Sequence, residues 1–162
     1  MPRPSPTPDL TPSIYDRLVD ACFEVEPDSR AQSVRGFVLG ICRDLEDLLN
    51  TSASRPSDEV DVPAVRESVY CYGVPELTLH DGATQADMQA LAADIETTIR
   101  RFEPRLDTVR VNIDVSQKSV WNRISFAIEG TSKSLPNSRI RVEAAFNPTN
   151  RRIEVTPNDS TT

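Results

Sequence analysis

Histidine, cysteine and glycine are scarce in this chain, which narrows the chemistry it can perform. Among 162 residues there is one histidine, His80, and there are three cysteines, Cys22, Cys42 and Cys71. A Ser-His-Asp or Cys-His arrangement would have to use His80, which lies in a turn segment without a nucleophile beside it. The cysteines are odd in number and widely spaced, which indicates buried reduced thiols rather than disulfides or a metal site. Five glycines without a GxGxxG or GxxxxGK(S/T) pattern leave little material for a phosphate-binding loop. We therefore expect no metal and no cofactor.

Long apolar runs and an excess of positive charge are also missing. No stretch approaches the ~18–20 apolar residues that span a bilayer, and the first residues do not have the pattern of a secretion signal. We therefore expect a cytoplasmic protein without direct membrane insertion. The formal net charge is −7, which argues against nucleic acid as a partner and in favour of basic protein surfaces.

Carboxylates, in contrast, are plentiful, so an acid pair of the glycosidase type stays open as an alternative. Against it, Glu103 has Arg105 two positions away, and a neighbouring cation favours the ionised carboxylate over the protonated acid. Trp121 is the only tryptophan, and a single aromatic residue is typical of a core or rim position rather than a carbohydrate-binding platform. We predict no catalytic residue and no enzymatic activity.

The composition divides the chain into an arm, one domain and a tail. Residues 1–12 carry five prolines and predict a disordered, polyproline-like arm. Residues 13–156 are predicted to form a single domain, and residues 157–162 a polar tail. Ser13 stands where it can cap a short helix that starts at Ile14.

Two segments have the periodicity of amphipathic helices. Apolar residues recur at helical spacing through residues 32–50. A second helix is predicted to begin at Thr84, where Asp87 completes a relative of the capping box. This helix should end before Pro104, whose ring cannot continue it. Residues 68–72 could be a strand or one helical turn.

The last third of the chain alternates apolar and polar residues with a period of two, which predicts half-buried strands. The apolar positions are, in chain order, Val109, Val111, Ile113 and Val115; Ile124, Phe126 and Ile128; Ile140, Val142, Ala144 and Phe146; and Ile153 with Val155. Helices followed by strands indicate an α+β fold. We predict two to three helices packed on an antiparallel β-meander of about four strands.

The tetrapeptide Glu103-Pro104-Arg105-Leu106 lies where the second helix gives way to the sheet. One interpretation is a helix-end salt bridge between Glu103 and Arg105 that holds the helix on the sheet. The other is a partner-docking corner in which the rigid fork of Arg105 binds a carboxylate or carbonyl pair. The residues alone leave both interpretations open.

Four segments of the chain resemble one known family, in the family's order. They match the patterns L-x-D-R-L, R-D-L-E-x-L-L-N-T-R, S-V-x-N-Y-G-L-P-D-L and I-x-x-F-E-P-R-L. The segments are Tyr15-Asp16-Arg17-Leu18, Arg43-Asp44-Leu45-Glu46-Asp47-Leu48-Leu49-Asn50-Thr51, Ser68-Val69-Tyr70-Cys71-Tyr72-Gly73-Val74-Pro75-Glu76-Leu77 and Ile99-Arg100-Arg101-Phe102-Glu103-Pro104-Arg105-Leu106. Together they resemble the TssE family, the small baseplate wedge subunits of bacterial type VI secretion systems. That family is similar to the gene-product-25-like wedge proteins of contractile phage tails. The chain departs from the pattern at Ser52, where arginine is usual, and at Cys71, where asparagine is common.

The resemblance implies a structural role in the membrane-docked baseplate. Its implied partners are wedge subunits of the TssF, TssG and TssK kinds and sheath subunits of the TssB and TssC kinds. The subunit would link the wedge to the contractile sheath and nucleate sheath assembly, and residues 103–106 would belong to the docking region. A meander with an open edge would offer unpaired N–H and C=O groups for strand pairing.

Two alternatives stand beside this interpretation. The first is the equivalent wedge protein of a phage tail or of an extracellular contractile injection particle, although the Leu48-Leu49-Asn50-Thr51 segment favours secretion. The second is a peptidoglycan hydrolase, because the family has carried a lysozyme-like label.

Overall fold

A computed structural model of the chain describes Leu10 and residues 13–15, 17–18, 34–53, 60–74, 84–114, 124–147, 149–150 and 152–158. Several predictions lie outside these residues. They concern Cys22, His80, Val115, Trp121 and the tail beyond Asn158. They also concern the proline-rich arm, of which only Leu10 is described. Leu10 is buried in the core, so the packed part of the chain includes a residue of the predicted arm.

The last four elements form one antiparallel sheet with the strand order β1-β2-β3-β4. The strands are β1 (Thr108–Asp114), β2 (Ile124–Ser132), β3 (Leu135–Asn147) and β4 (Arg152–Pro157). Val111 lies opposite Ile128, and Ile128 lies opposite Val142, so that apolar side chains line one face of the sheet. The predicted meander is confirmed, and its outer strands are β1 and β4.

Two long helices cover the apolar face of this sheet. Helix α1 (Val34–Leu49) packs over β4, and helix α3 (Gln85–Phe102) packs over β1. The most deeply buried side chains come from both layers and include Ile41, Leu45, Ile95, Ile99, Ile128 and Ile140. Helix α3 begins as predicted, because Thr84 and Asp87 form a reciprocal capping box. The fold is the α+β arrangement predicted from the sequence.

Short helical elements lie between the two long helices. Helix α2 (Pro63–Arg66) is followed by a single 3₁₀ turn, Val69–Cys71. The open question about residues 68–72 is thereby decided in favour of a helical turn. Ser68 begins this turn by accepting a hydrogen bond from the Tyr70 N–H through its side-chain oxygen at 3.3 Å.

The third strand starts earlier than predicted. Its alternation is clear only from Ile140, whereas β3 begins at Leu135 after a tight turn at Lys133 and Ser134. The register shifts between Thr131 and Ser132 where the hairpin closes. The sequence from Leu135 to Arg139 does not show the period-two pattern of a strand. It contains a proline at position 136, a residue that is depleted in strands, and it follows the irregular pairing.

Within the described residues, no helix is both long and apolar enough to cross a bilayer.

Candidate functional site

Helix α3 ends in a tight corner that leads directly into the first strand. Glu103 closes the helix by donating its N–H to the Ile99 carbonyl at 2.8 Å, and Leu106 donates its N–H to the Glu103 carbonyl at 3.1 Å. Pro104 stands exposed at the outside of the turn, while the Leu106 side chain is buried in the core. The helix stops before Pro104, as predicted.

Glu103 and Arg105 form an ion pair across this corner. The Arg105 Nε donates to Glu103 Oε1 at 2.7 Å, and Arg105 Nη2 contacts Glu103 Oε2. The Arg105 backbone N–H also donates to Glu103 Oε1 at 3.1 Å. Only 5% of the Glu103 side chain and 11% of the Arg105 side chain are exposed. The guanidinium of Arg105 therefore bonds to a carboxylate of its own chain.

A second carboxylate joins this pair from helix α1. Asp44 Oδ2 accepts a hydrogen bond from Arg105 Nη2 at 2.5 Å, and Asp44 Oδ1 accepts one from the Ser13 hydroxyl at 3.1 Å. Ser13 is 5% exposed. We call Ser13, Asp44, Glu103 and Arg105 the corner cluster. It connects the segment before α1, helix α1 and the end of α3 at one point.

The electrostatics of the corner cluster favour a permanently charged arginine. Burial works to lower the pKa of Arg105, but the hydrogen bonds and charges of Glu103 and Asp44 outweigh it, so that the pKa is raised above its ordinary value. Nearby, burial and then the charges of Asp47, Asp44 and Glu103 raise the pKa of the Tyr72 phenol. The surroundings of Tyr72 are therefore electronegative.

Ser13 also starts the short helix that was predicted to follow it. Its hydroxyl accepts a hydrogen bond from the Tyr15 N–H at 3.2 Å, and its carbonyl accepts one from the Arg17 N–H at 3.1 Å. The Arg43 guanidinium lies over the Tyr15 ring at 4.4 Å from the ring centroid, a cation–π distance. The predicted cap is confirmed, and the same hydroxyl bonds to Asp44.

A groove of about 350 Å³ runs beside the corner cluster. Its apolar walls include Ile14, Tyr15, Leu48 and Phe102, and its polar residues include Asp47 and Arg17. Tyr15 is 58% exposed and Ile14 is 75% exposed. Large apolar side chains at such exposure are typical of a protein contact surface.

Two further contacts join the segments that carry the family motifs. The rings of Tyr72 and Phe102 meet edge to face with centroids 5.3 Å apart, a favourable aromatic geometry. Gly73 has φ = +116°, and a Cβ built there would lie 2.4 Å from the Thr51 carbonyl oxygen. The Val74 N–H donates to that oxygen at 2.9 Å. Glycine is required here both by the backbone conformation and by the close approach.

The outer edge of β4 is bonded to two side chains at the C-terminal end of helix α1, one within the helix and one directly after it. Asn50 donates from Nδ2 to the Ile153 carbonyl at 2.7 Å, and its Oδ1 accepts from the Ile153 N–H at 2.9 Å. Glu46 Oε2 accepts from the Val155 N–H at 3.1 Å. We call Glu46 and Asn50 the β4 guard.

The outer edge of β1 is likewise hydrogen-bonded to side chains of helix α3. Arg100 Nη2 donates to the Val109 carbonyl at 2.8 Å, and Glu96 Oε1 accepts from the Val111 N–H at 2.9 Å. Glu96 and Arg100 are also ion-paired with each other at 2.9 Å. The expectation of unpaired groups along an open edge is therefore wrong at these described positions of β1 and β4, because helix side chains reach around both edges.

The structure thus brings the predicted site residues 103–106 together but leaves only Pro104 exposed. Sequence reasoning missed Asp44 as a partner of Arg105, because Asp44 lies 61 positions from it. It also missed the hydrogen bond from Ser13 to Asp44. It also missed the β4 guard. Glu46 and Asn50 stand at i and i+4 and so share one side of the segment, but this spacing does not show which strand edge they meet.

Metal chemistry finds no support in the described part of the chain, where no group of three or more His, Cys, Asp or Glu side chains is placed to hold an ion.

Comparison with known protein families gives a match. The sequence model of a family described as baseplate wedge protein gp25 matches residues 39–137, which is more than half of the chain. No curated protein matches the chain at a significant level. The matched segment starts within helix α1, contains helix α3, the corner, β1 and β2, and ends in β3.

Proposed function

This chain belongs to the baseplate wedge protein gp25 family, and on that premise we propose that it is a structural subunit of a type VI secretion baseplate. In this role it links the wedge to the contractile sheath and nucleates sheath assembly. Its partners would be wedge subunits of the TssF, TssG and TssK kinds and sheath subunits of the TssB and TssC kinds. It would act without a cofactor and without catalytic turnover.

The observation that carries this proposal is the use that the fold makes of the motif residues. Asp44 and Arg105 come from different motifs and share a hydrogen bond, and Gly73 packs against Thr51 from another motif. These contacts join helix α1 to the end of helix α3 and the residues after α1 to the segment around Gly73. A scaffold subunit needs such contacts, since its partners bind to a surface whose shape must be fixed.

The corner would dock a partner through its exposed parts. Glu103 and Arg105 are committed to each other and to Asp44, so they would set the shape of the corner rather than reach across an interface. Pro104 and the groove residues Ile14 and Tyr15 are the exposed elements. We therefore place the wedge contact of the proposed docking corner on these three residues.

The alternative of a phage tail or an extracellular injection particle keeps the same chemistry and differs only in the assembly. The gp25 family match is compatible with both settings, whereas the Leu48-Leu49-Asn50-Thr51 segment favours secretion. A lysozyme-like activity has less support, because both carboxylate oxygens of Glu103 are engaged by Arg105 and only 5% of the Glu103 side chain is exposed. A general acid must instead reach the substrate.

A pull-down from the native host tests the proposal. Tagged wild-type protein should recover wedge and sheath subunits, identified by mass spectrometry. The variant Tyr15→Ser, which alters the groove, should recover fewer wedge subunits by at least about tenfold, as expected when an aromatic anchor is lost from an interface. The matched control Val62→Ser changes a residue that is 54% exposed outside the groove and should behave as wild type.

The outcomes separate the parts of the proposal. Recovery of neither wedge nor sheath subunits with folded wild-type protein would contradict the baseplate role. Equal recovery with Tyr15→Ser and with wild type would contradict only the docking position. Recovery of phage tail proteins instead would transfer the chain to the alternative assembly.

A further inference from the structure

We infer that the β4 guard is a gate that prevents the sheet from pairing with a second copy of this chain. This inference does not depend on the baseplate role, because it concerns the isolated subunit. It starts from the fact that β4 is an outer strand whose edge is bonded to side chains rather than to another strand.

Asn50 imitates a residue of a neighbouring strand. In each hydrogen-bonded pair of an antiparallel ladder, two directly opposed residues exchange both of their N–H···O=C bonds. The Asn50 side-chain amide makes the same two bonds to Ile153, one from an N–H at 2.7 Å and one to its C=O at 2.9 Å. Nδ2 of Asn50 also donates to the Glu46 carbonyl at 2.8 Å. Glu46 occupies the next outward N–H, that of Val155. A strand from another molecule cannot bond to these groups while the guard holds them.

The edge behind the guard is suited to self-pairing. Two copies of β4 that meet antiparallel about a two-fold axis at Ile153 would place Arg152 opposite Glu154 of the second copy, twice in the same interface. Opposite charges directly across an antiparallel pair stabilise it. The same register puts Ile153 opposite itself in a hydrogen-bonded pair, because its N–H and C=O both point outward to Asn50. The second copy is therefore the occupant that the charges and the register fit.

The β1 edge does not offer the same opportunity. Its guard residues Glu96 and Arg100 are ion-paired at 2.9 Å, and only 15% of the Glu96 side chain is exposed. Arg110 lies 3.7 Å from the same carboxylate. The β4 guard, in contrast, relies on the neutral amide of Asn50, an exposed residue. The β4 edge is therefore the one that a small change in sequence would open.

Sedimentation velocity of the full chain tests the gate. Wild type should stay monomeric across a hundredfold range of concentration, whereas Glu46→Ala with Asn50→Ala should dimerise with an association constant at least about tenfold higher, because several peptide groups become available for pairing. The control Glu46→Gln keeps an acceptor oxygen for the Val155 N–H and should remain monomeric. The control Asp47→Ala removes a neighbouring charge of α1 without opening the edge and should also remain monomeric.

The register gives a second, independent readout. Adding Glu154→Arg to the open variant should abolish the dimer, because Arg152 would then face arginine of the second copy. Adding Arg152→Glu to that chain should restore it. A folded open variant that stays monomeric would overturn the inference, and so would a dimer that is insensitive to Glu154→Arg.

Folding of the open variant is controlled separately. Circular dichroism should show the helix and strand content of the wild type. If the double variant unfolds, Asn50→Ala alone replaces it, since this change frees both the N–H and the carbonyl of Ile153. Dimerisation of folded Asn50→Ala supports the gate, and its persistence as a monomer overturns it.

Discussion

The guanidinium of Arg105 lies between two carboxylates, with Nε bonded to Glu103 at 2.7 Å and Nη2 bonded to Asp44 at 2.5 Å. Its donors are thus used within the subunit. Removal of one member of a buried ion pair leaves the others without compensation, which costs much more than the loss of an exposed pair. At the scale of the residue, the corner cluster is therefore a stability determinant.

Arg105→Ala should lower the free energy of unfolding by about 3 kcal/mol, because Glu103 and Asp44 lose the cation between them. Urea unfolding followed by circular dichroism measures this loss. Arg110→Ala is the matched control, since 77% of the Arg110 side chain is exposed, and it should change stability by no more than ~0.5 kcal/mol. Similar losses in the two variants would show that the corner cluster contributes no more than a surface pair.

The Cys42 thiol predicts a loss of stability in alkaline solution. Burial, followed by the charge of Glu46, raises the pKa of Cys42 from 9.0 to about 11. Between these values the unfolded chain has released a proton that the folded chain still holds, so stability falls as the pH rises. A difference of two pKa units corresponds to about 2–3 kcal/mol.

Urea unfolding at pH 8, 9, 10 and 11 measures this effect. The free energy of unfolding of the wild type should fall more steeply above pH 9 than that of Cys42→Ala, which lacks the titrating thiol. Tyr72, whose pKa is also raised, is present in both chains and cancels in the comparison. Parallel curves for the two chains would contradict the prediction.

Helices and strands could be predicted from the sequence wherever the spacing of apolar residues was regular. Helix α3 showed both its apolar stripe and its terminal residues, Thr84 and Pro104, so its bounds followed from local rules. Strand β3 was placed late because Pro136 and the shift near Thr131 interrupt the alternation. The guards of β1 and β4 could not be derived from period alone, since they depend on which helix lies over which edge.

The contact between the residues after α1 and Val74 depends on Gly73. The φ of Gly73 is positive, and a Cβ added there would lie 2.4 Å from the Thr51 carbonyl oxygen, so a side chain is excluded. Gly73→Ala should lower stability by at least about 2 kcal/mol, since strain and a backbone clash act together. In a chain of this size that is a fall of roughly 4–8 °C in the melting temperature.

Differential scanning calorimetry of Gly73→Ala and Ser52→Ala compares the two sides of this contact. Ser52 pairs with Val74 through its backbone, and its side chain is exposed. Its substitution should leave the melting temperature nearly unchanged. An unchanged melting temperature for Gly73→Ala would mean that the loop relaxes away from Thr51 at little cost.

At the scale of the whole molecule, the order of four motifs was sufficient to predict the family. The fold explains part of this, because contacts join the motifs in pairs: Asp44 meets Arg105, Tyr72 meets Phe102, and Gly73 meets Thr51. The side-chain geometry of the site was less accessible, since a tetrapeptide does not reveal which distant carboxylate its arginine will meet. The docking role of residues 103–106 stays a prediction.

The bonds between Asn50 and Ile153 join positions that are 103 residues apart, and this separation has a consequence for biosynthesis. The segment of helix α1 leaves the ribosome long before β4 has been synthesised. Glu46 and Asn50 therefore have no strand to bond to while the meander is translated. The domain closes only when the last strand emerges. A message cut short before codon 152 would yield a three-stranded sheet with the edge of β3 bare, a product suited to removal by quality-control proteases rather than to assembly.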